Sequence, residues 1–161
     1  MRMSDQPSVA VETTIKADAS RIYDLVSDLD VMSGFGTEFV AGEWSSGRPG
    51  TVGATFLGRQ RFGDLEWETN STVTKADPAK CFTWRVGDPE NYTAEWVVTL
   101  RPDGAGTAVS YSFVHGPGPS GLRDRIEAAP EREEEIINGR LGILQENMVK
   151  TLEGLRRRTA A

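Results

Sequence analysis

The sequence contains one cysteine, one histidine and no long apolar run. A single cysteine permits no internal disulfide, which fits a reducing compartment. Because zinc sites draw on several cysteine and histidine ligands, we predict no metal. No apolar stretch approaches the ~20 residues of a membrane span, and the start of the chain, MRMSDQPSVA, lacks the apolar core of a signal peptide. We therefore expect a cytoplasmic protein without membrane insertion.

Basic residues are fewer than acidic residues. The chain has 18 Lys and Arg residues against 24 Asp and Glu residues, a formal net charge of −6. A nucleic-acid partner needs a concentrated basic face, so this balance argues against one. The 161 residues suffice for one domain with a real core and are few for two. We expect a disordered tail at 1–7, one domain at 8–158, and a second tail at 159–161.

The clearest helical pattern runs from Pro130 to Arg158. Acidic residues crowd its first turns and arginines its last, which complements the helix dipole, and proline suits a first helical position. Because this proline divides the region, Leu122 to Ala129 is predicted to be a separate short helix, which is either a lid or a kinked start of the long helix. Apolar side chains recur every three or four residues and form one stripe: Ile137, Leu141, Leu144, Met148, Leu152 and Leu155.

Alternating apolar and polar residues predict strands over most of the remaining chain. Val9 to Ile15 has one apolar face, and a short amphipathic helix follows, with Asp18 as its cap and its apolar positions running from Ile22 to Leu29. A second helical turn or a loop is expected at 31–37. From about Glu38 to Val114, turn sequences rich in glycine, proline and aspartate separate about six strands. One face of these strands is apolar and aromatic, and the other is polar.

This order of elements resembles the START-like, or Bet v 1-like (SRPBCC), superfamily, which includes bacterial polyketide cyclase/dehydrase-type proteins. The similar stretches are ADASRIYDLVSD at 17–28, VGATFLGRQR at 52–61, WET at 67–69, and ADP followed by FTWRV between 76 and 86. The resemblance covers about residues 8–157. It implies an α+β helix-grip fold, in which a curved antiparallel sheet of about seven strands wraps around the long C-terminal helix.

The resemblance also implies a cavity between the sheet and that helix, because family members bind lipids, sterols, polyketides or other apolar molecules, some of them with catalysis. In the family, a Trp or Pro often stands near the cavity mouth. Here Phe35, between two glycines, takes that place.

The predicted inner face of the sheet is heavily aromatic, and two interpretations compete. These side chains either fill a solid core or line a pocket for an apolar ligand. Composition alone favours the core, whereas the resemblance favours the pocket. Five polar groups at inward positions would need partners in a dry core, which also favours a pocket. The predicted ligand-binding residues are Phe35, Phe56, Gln60, Trp67, Thr69, Ser71, Trp84, Trp96, Tyr111, Phe113, His115, Ile137, Leu141, Leu144 and Met148.

No residue is assigned a catalytic role. Tyr111 and His115 are weak candidates for proton transfer, since they share a strand face and histidine titrates near neutral pH. The simpler interpretation is that the histidine is half exposed at a strand end. Cys81 alternates with the inward Phe82 and Trp84 and is predicted to face outward, which argues against a cysteine–histidine pair.

The segment Gly116 to Gly121 formally matches the nucleotide-binding pattern G-x-G-x-x-G. Pro117 and Pro119 remove backbone donors that would hold a phosphate, and no parallel strand follows. No cofactor is therefore predicted, and the segment is interpreted as a flexible hinge at the pocket mouth.

The sequence thus predicts a monomer or homodimer that binds an apolar or aromatic small molecule, lipid-like or polyketide-like, in an internal cavity. An alternative is a polyketide cyclase/dehydratase-type enzyme whose dry cavity orients a reactive chain. A second alternative is a protein-interaction module of the co-chaperone type that uses the outer sheet surface. It ranks last because that surface is polar: Glu66 and Glu68 are expected to be solvated there, opposite Arg59 and Arg61.

Overall fold

The chain forms one seven-stranded sheet and four α-helices in a computed structural model that describes residues 1–160. The elements in chain order are β1 (Ser8–Ile15), α1 (Ala19–Val26), α2 (Leu29–Met32), β2 (Phe39–Ser46), β3 (Thr55–Phe62), β4 (Leu65–Asp77), β5 (Cys81–Asp88), β6 (Asn91–Asp103), β7 (Gly106–His115), α3 (Gly121–Ala128) and α4 (Glu133–Thr159). Short 3-10 turns lie at Met3–Asp5 and Pro130–Arg132.

The sheet is antiparallel throughout, with strand order β1-β7-β6-β5-β4-β3-β2. Strands β2 to β7 follow one another as a meander, since each separator in the sequence is a turn too short for a crossover. β1 returns to pair with β7, so the first and last strands are neighbours. With α4 packed on this sheet, the architecture confirms the predicted α+β helix-grip fold.

The apolar stripe of α4 is buried, as its periodicity predicts. Ile137, Leu144, Met148, Leu152 and Leu155 are buried and Leu141 is half-buried. Burying six such side chains contributes roughly 10 kcal/mol before the ordering entropy is subtracted. The opposite side of α4 is charged. Among the helices within residues 1–160, none combines the length and hydropathy needed to cross a membrane.

Met3 and Thr159, expected in the tails at 1–7 and 159–161, are part of the folded structure, and position 161 lies outside the described residues. Met3 is buried against α3 and the start of α4, and its N–H donates to Glu133 Oε2 at 3.0 Å. The carbonyl of Pro7 accepts from His115 N–H at 2.9 Å. At the other end, Thr159 is helical and buried, and its hydroxyl donates to the Leu155 carbonyl at 2.9 Å. Two methionines in a short polar stretch do not establish a periodicity, so the sequence pattern could not predict the docking of Met3.

The first helical region is broken where one helix was expected to continue to Leu29. α1 ends at Val26, and Asp28 starts α2 because its Oδ1 accepts from the N–H groups of Asp30 and Val31 at 3.0 and 3.3 Å. Asp18 precedes α1 as predicted, but its side chain accepts no capping hydrogen bond. The break turns the chain so that Leu29 is buried near β2.

Candidate ligand-binding site

A row of aromatic rings crosses the inner face of the sheet from the β2 edge to β7. Neighbouring ring centroids lie 4.7 to 6.5 Å apart, which is the range of favourable aromatic pairs. Trp84 and Trp96 face each other across β5 and β6 and stack at 6.0 Å, with 14° between their planes. The aromatic row consists of Trp44, Phe56, Trp84, Trp96, Phe113 and His115.

The inner face is closed at one end and open at the other. At the closed end, Ile22 and Val109 are fully buried and Leu155 is 1% exposed. Along the aromatic row, Trp44, Trp84 and Trp96 keep contact with solvent although they point inward, and so do Val86 and Leu141 beside them. The sheet and α4 therefore do not close completely over this part of the inner face.

Most of the predicted wall residues are brought together. Phe56, Phe113 and the two stacked indoles belong to the row, and Tyr111 lies 5.2 Å from the Trp96 ring. Leu144 and Met148 of α4 pack into the same core, with Leu141 at its margin. This is the arrangement that strand alternation and helix periodicity predict.

Three predicted residues lie apart from the row. Trp67 is half-buried near the β3–β4 hairpin, opposite Gln60. Ile137 packs with Met3 and α3 in a smaller cluster. Phe35 packs on Gly154, where any side chain would overlap its ring. Position 154 is roughly 20 Å along α4 from Leu141, the residue of that helix beside the row, at 1.5 Å per residue. Phe35 thus covers the C-terminal half of α4 and not the open end of the row.

Two of the predicted polar residues satisfy each other. The Gln60 amide and the Thr69 hydroxyl are hydrogen-bonded at 2.9 Å on neighbouring strands. Gly58 permits this contact, because a Cβ there would lie 2.8 Å from the Gln60 amide nitrogen and 3.0 Å from the Thr69 oxygen. Both residues are half-buried, whereas Ser71 is buried deeper on β4. The Gln60–Thr69 pair forms a polar margin for the inner face.

The aromatic row ends at a group of polar and charged side chains that the sequence pattern did not predict. This polar cluster consists of Glu38, Arg123, Arg140 and His115. Arg140 donates from both terminal nitrogens to the Glu38 carboxylate, at 2.6 and 2.7 Å, and joins α4 to the chain just before β2. The two side chains are only 24% and 10% exposed. Arg123 Nη2 donates to the Gly116 carbonyl at 2.7 Å.

One member of this cluster left a trace in the sequence. Arg140 stands between Ile137 and Leu141, so it interrupts the apolar stripe of α4 close to its buried face. A charged residue there needs a partner, which could have prompted a search for an acidic residue. The local sequence pattern does not identify Glu38 as the partner of Arg140, and it does not place Arg123 near them.

His115 is buried in the polar cluster and is not the half-exposed strand end that was considered. Burial lowers its pKa to about 4, with further lowering by the positive charges of Arg140 and Arg123, so the imidazole is neutral at pH 7. Within residues 1–160, His115 Nε2 and Arg123 Nε are buried without a hydrogen-bond partner. Each such atom costs about 1 to 3 kcal/mol.

Tyr111 is also buried, and burial raises the pKa of its hydroxyl above the ordinary value. The hydroxyl therefore stays protonated at neutral pH and can donate a hydrogen bond. A histidine with a pKa of about 4 is a weak base at neutral pH. The pair is better suited to hold a polar group of a ligand than to abstract a proton.

Hydrogen bonds to β6 hold the segment from Gly116 to Gly121, so it is not the flexible hinge that the sequence suggested. Gly116 N–H donates to the Thr93 carbonyl at 2.9 Å, and Gly118 N–H donates to the Tyr92 carbonyl at 2.8 Å. The Thr93 hydroxyl donates to the Pro119 carbonyl at 2.7 Å. Tyr92 approaches so closely that neither glycine could carry a side chain. These contacts fix the start of α3 and hence the position of Arg123.

The outer face of the sheet carries the charged side chains that strand alternation places there. Arg61 and Glu66 are paired in register and form an exposed ion pair at 2.8 Å. Cys81 shares the outer side of β5 with Thr83, 3.5 Å from its hydroxyl, although both are buried. The thiol is therefore on the opposite side of the sheet from His115.

Two grooves open on the surface away from the aromatic row. One, of about 310 Å³, is lined by Gly34, Phe35, Gly154, Arg157 and Arg158. The other, of about 530 Å³, runs along α4 and is lined by Gly142, Gln145, Glu146, Val149 and Lys150. Neither includes a ring of the row. The half-buried row and the polar cluster, with inward-pointing aromatic and polar groups, form the candidate site.

Known proteins share this sequence pattern and this architecture. The family model described as polyketide cyclase / dehydrase and lipid transport matches residues 6–149. A Polyketide_cyc-like protein from Corynebacterium glutamicum is 27% identical, with a TM-score of 0.67 over 93% of this chain and 89% of that chain. No curated protein sequence matches the chain.

Two more distant structures share the fold. Major latex-like protein 151 from Panax ginseng is 11% identical, with a TM-score of 0.69 over 97% of this chain and 99% of that chain. The di-domain ARO/CYC StfQ from the steffimycin biosynthetic pathway is 12% identical, with a TM-score of 0.74 over 94% of this chain and 50% of that chain.

Proposed function

Because the chain belongs to the polyketide cyclase/dehydrase and lipid transport family, as its resemblance predicted, we propose that it binds an apolar or aromatic small molecule between the inner face of the sheet and α4. The partial exposure of the three tryptophans in the aromatic row is the observation that supports this most directly. Trp84 and Trp96 point inward and yet keep contact with solvent. Each Å² of apolar surface left in water forgoes about 25 cal/mol, which a bound apolar ring would recover.

The geometry of the row suits a flat or extended ligand. The planes of the stacked indoles of Trp84 and Trp96 are nearly parallel, so a flat ring system or an acyl chain can pack against them. Leu141 of α4 packs against the same core and is itself half-buried. The Gln60–Thr69 pair and the polar cluster provide the few polar contacts that orient a ligand. Lipid-like and polyketide-like molecules both fit this description.

The test is the binding of a neutral apolar dye, N-phenylnaphthylamine, whose fluorescence rises when it leaves water. In the variant Leu141→Trp, a larger side chain fills the space beside the row, so we expect affinity to fall about tenfold or more. Val149→Trp adds the same ring on the exposed side of α4, where Val149 is 40% exposed, and should leave affinity unchanged. Equal losses in both variants, or none in either, would contradict the proposed site.

A cyclase/dehydratase activity is the second candidate. It is favoured by the presence of Tyr111 and His115 on the inner face beside the row. Since neither group is a strong base near pH 7, any rate enhancement would come mainly from holding a reactive chain in one orientation in a dry site. Tyr111→Phe and His115→Gln should then reduce turnover of a linear polyketide chain while dye affinity is kept. Turnover that is unchanged in both variants would remove these residues from the chemistry.

A further inference from the structure

The end of the aromatic row at β7 contains two buried hydrogen-bonding atoms that the protein does not use. His115 is 4% exposed, and its ring packs edge to face on Phe113 at 4.7 Å. Across the strand pair it faces the small side chain of Ala94. His115 Nε2 and Arg123 Nε are both buried without a partner within residues 1–160.

The charges in the polar cluster do not balance. Glu38 neutralises Arg140 through two hydrogen bonds. Arg123 donates to a neutral carbonyl, that of Gly116, and forms no ion pair within residues 1–160. With His115 neutral, the cluster carries one net positive charge. One negative charge from a ligand would neutralise it.

The chemistry of the two unused atoms also selects the ligand group. The Nε of arginine only donates, and a neutral imidazole has one N–H that can be placed on Nε2. Two donors in the same polar cluster match an oxygen acceptor, and such hydrogen bonds are strongest when the acceptor is anionic.

We propose that the ligand of this site carries an acidic oxygen group, a carboxylate or an acidic enol or phenol, which is held by Arg123 and His115 while its apolar body lies on the aromatic row. This inference rests on the proposed binding function. The ligand is then an acidic lipid or an acidic polycyclic molecule and not a neutral hydrocarbon or sterol ester.

The site can open without unfolding α3. The Ser120 hydroxyl accepts from Arg123 N–H at 3.1 Å and holds the backbone at the helix start. The guanidinium, in contrast, is held by its hydrogen bond to Gly116. Rotation of the Arg123 side chain breaks that bond and admits an acidic group, which then replaces the carbonyl as the acceptor.

The experiment compares anthracene carboxylic acid with its methyl ester, which has nearly the same shape and no charge. Binding is measured at pH 7 and physiological ionic strength through the quenching of tryptophan fluorescence. We expect the native chain to bind the acid about tenfold more tightly than the ester. Arg123→Gln should abolish this preference, and its thermal unfolding shows whether it is folded. Arg125→Gln, an exposed change of equal charge on the same helix, should retain the preference.

The outcomes separate this proposal from the binding function. Equal affinities of the native chain for acid and ester would overturn the acidic-ligand proposal and leave the apolar site in place. A preference that survives in Arg123→Gln, or disappears equally in Arg125→Gln, would also overturn it, since the charge would then act only at long range. If neither compound binds, the proposed binding function fails together with this inference.

Discussion

The ion pair between Glu38 and Arg140 should make a large contribution to stability. It joins α4 to the chain before β2 through two hydrogen bonds of 2.6 and 2.7 Å between mostly buried side chains. Removing one partner of a buried pair costs about 3 to 5 kcal/mol. Because solvent reaches both groups, we expect about 2 kcal/mol for Glu38→Ala. In a chain of this length that corresponds to a fall in Tm of about 4 to 8 °C.

The assay is a double-mutant cycle in urea with Glu38→Ala, Arg140→Ala and the double variant. The free energy of unfolding of the double variant should fall by about 1 to 2 kcal/mol less than the sum of the two single losses. The reason is that each single variant leaves one charge unpaired, whereas the double variant leaves none. The control pair is Arg61–Glu66, which has a similar distance of 2.8 Å but is 59% and 58% exposed. Its coupling should stay below about 1 kcal/mol. Additive losses at Glu38 and Arg140, or a coupling no larger than that of the control, would refute the reasoning.

Two further predictions concern buried groups. His115 has a pKa of about 4 in the folded chain against 6.5 ordinarily, so the unfolded chain takes up the proton first as the pH falls. The resulting stability is present above pH 6.5 and is lost towards pH 4, by up to about 3 kcal/mol. The urea midpoint of His115→Gln should therefore fall less between pH 6.5 and pH 4 than that of the native chain. Equal falls in the two proteins would contradict this prediction. In α4, Gly154→Ala should cost about 1 to 3 kcal/mol because it overlaps Phe35, whereas Gly142→Ala, whose Cβ meets nothing within 4 Å, should add about 1 kcal/mol of stability. Thermal melts that shift in the same direction would show that the Phe35 contact is not tight.

The fold could be predicted because its determinants are local and periodic. The spacing of apolar residues in α4, from Ile137 to Leu155, requires only that one helix face be buried. Alternation along β4 to β6 places Trp84 and Trp96 on the inner face without knowledge of any distant residue. The same alternation placed Arg61 and Glu66 on the outer face.

The polar part of the candidate site could not be predicted in this way. The bond between Glu38 and Arg140 joins residues 102 positions apart, and no local pattern encodes which acidic residue approaches which arginine. Phe35 shows the same limit, since its sequence context suggests a cavity mouth while its ring packs on Gly154. The charges near His115 come from Arg123 and Arg140 on two different helices, and no local pattern predicts that these helices bring them to the end of β7.

The most direct test of the proposed binding site is an NMR titration of the native chain with N-phenylnaphthylamine. The indole N–H signals of Trp84 and Trp96 should shift and saturate together, while the amide signals of Ile22 and Val109 in the closed end of the inner face stay in place. Shifts confined to Phe35 and Gly154, in the groove at the C-terminal end of α4, would contradict the account and place the ligand outside the aromatic row.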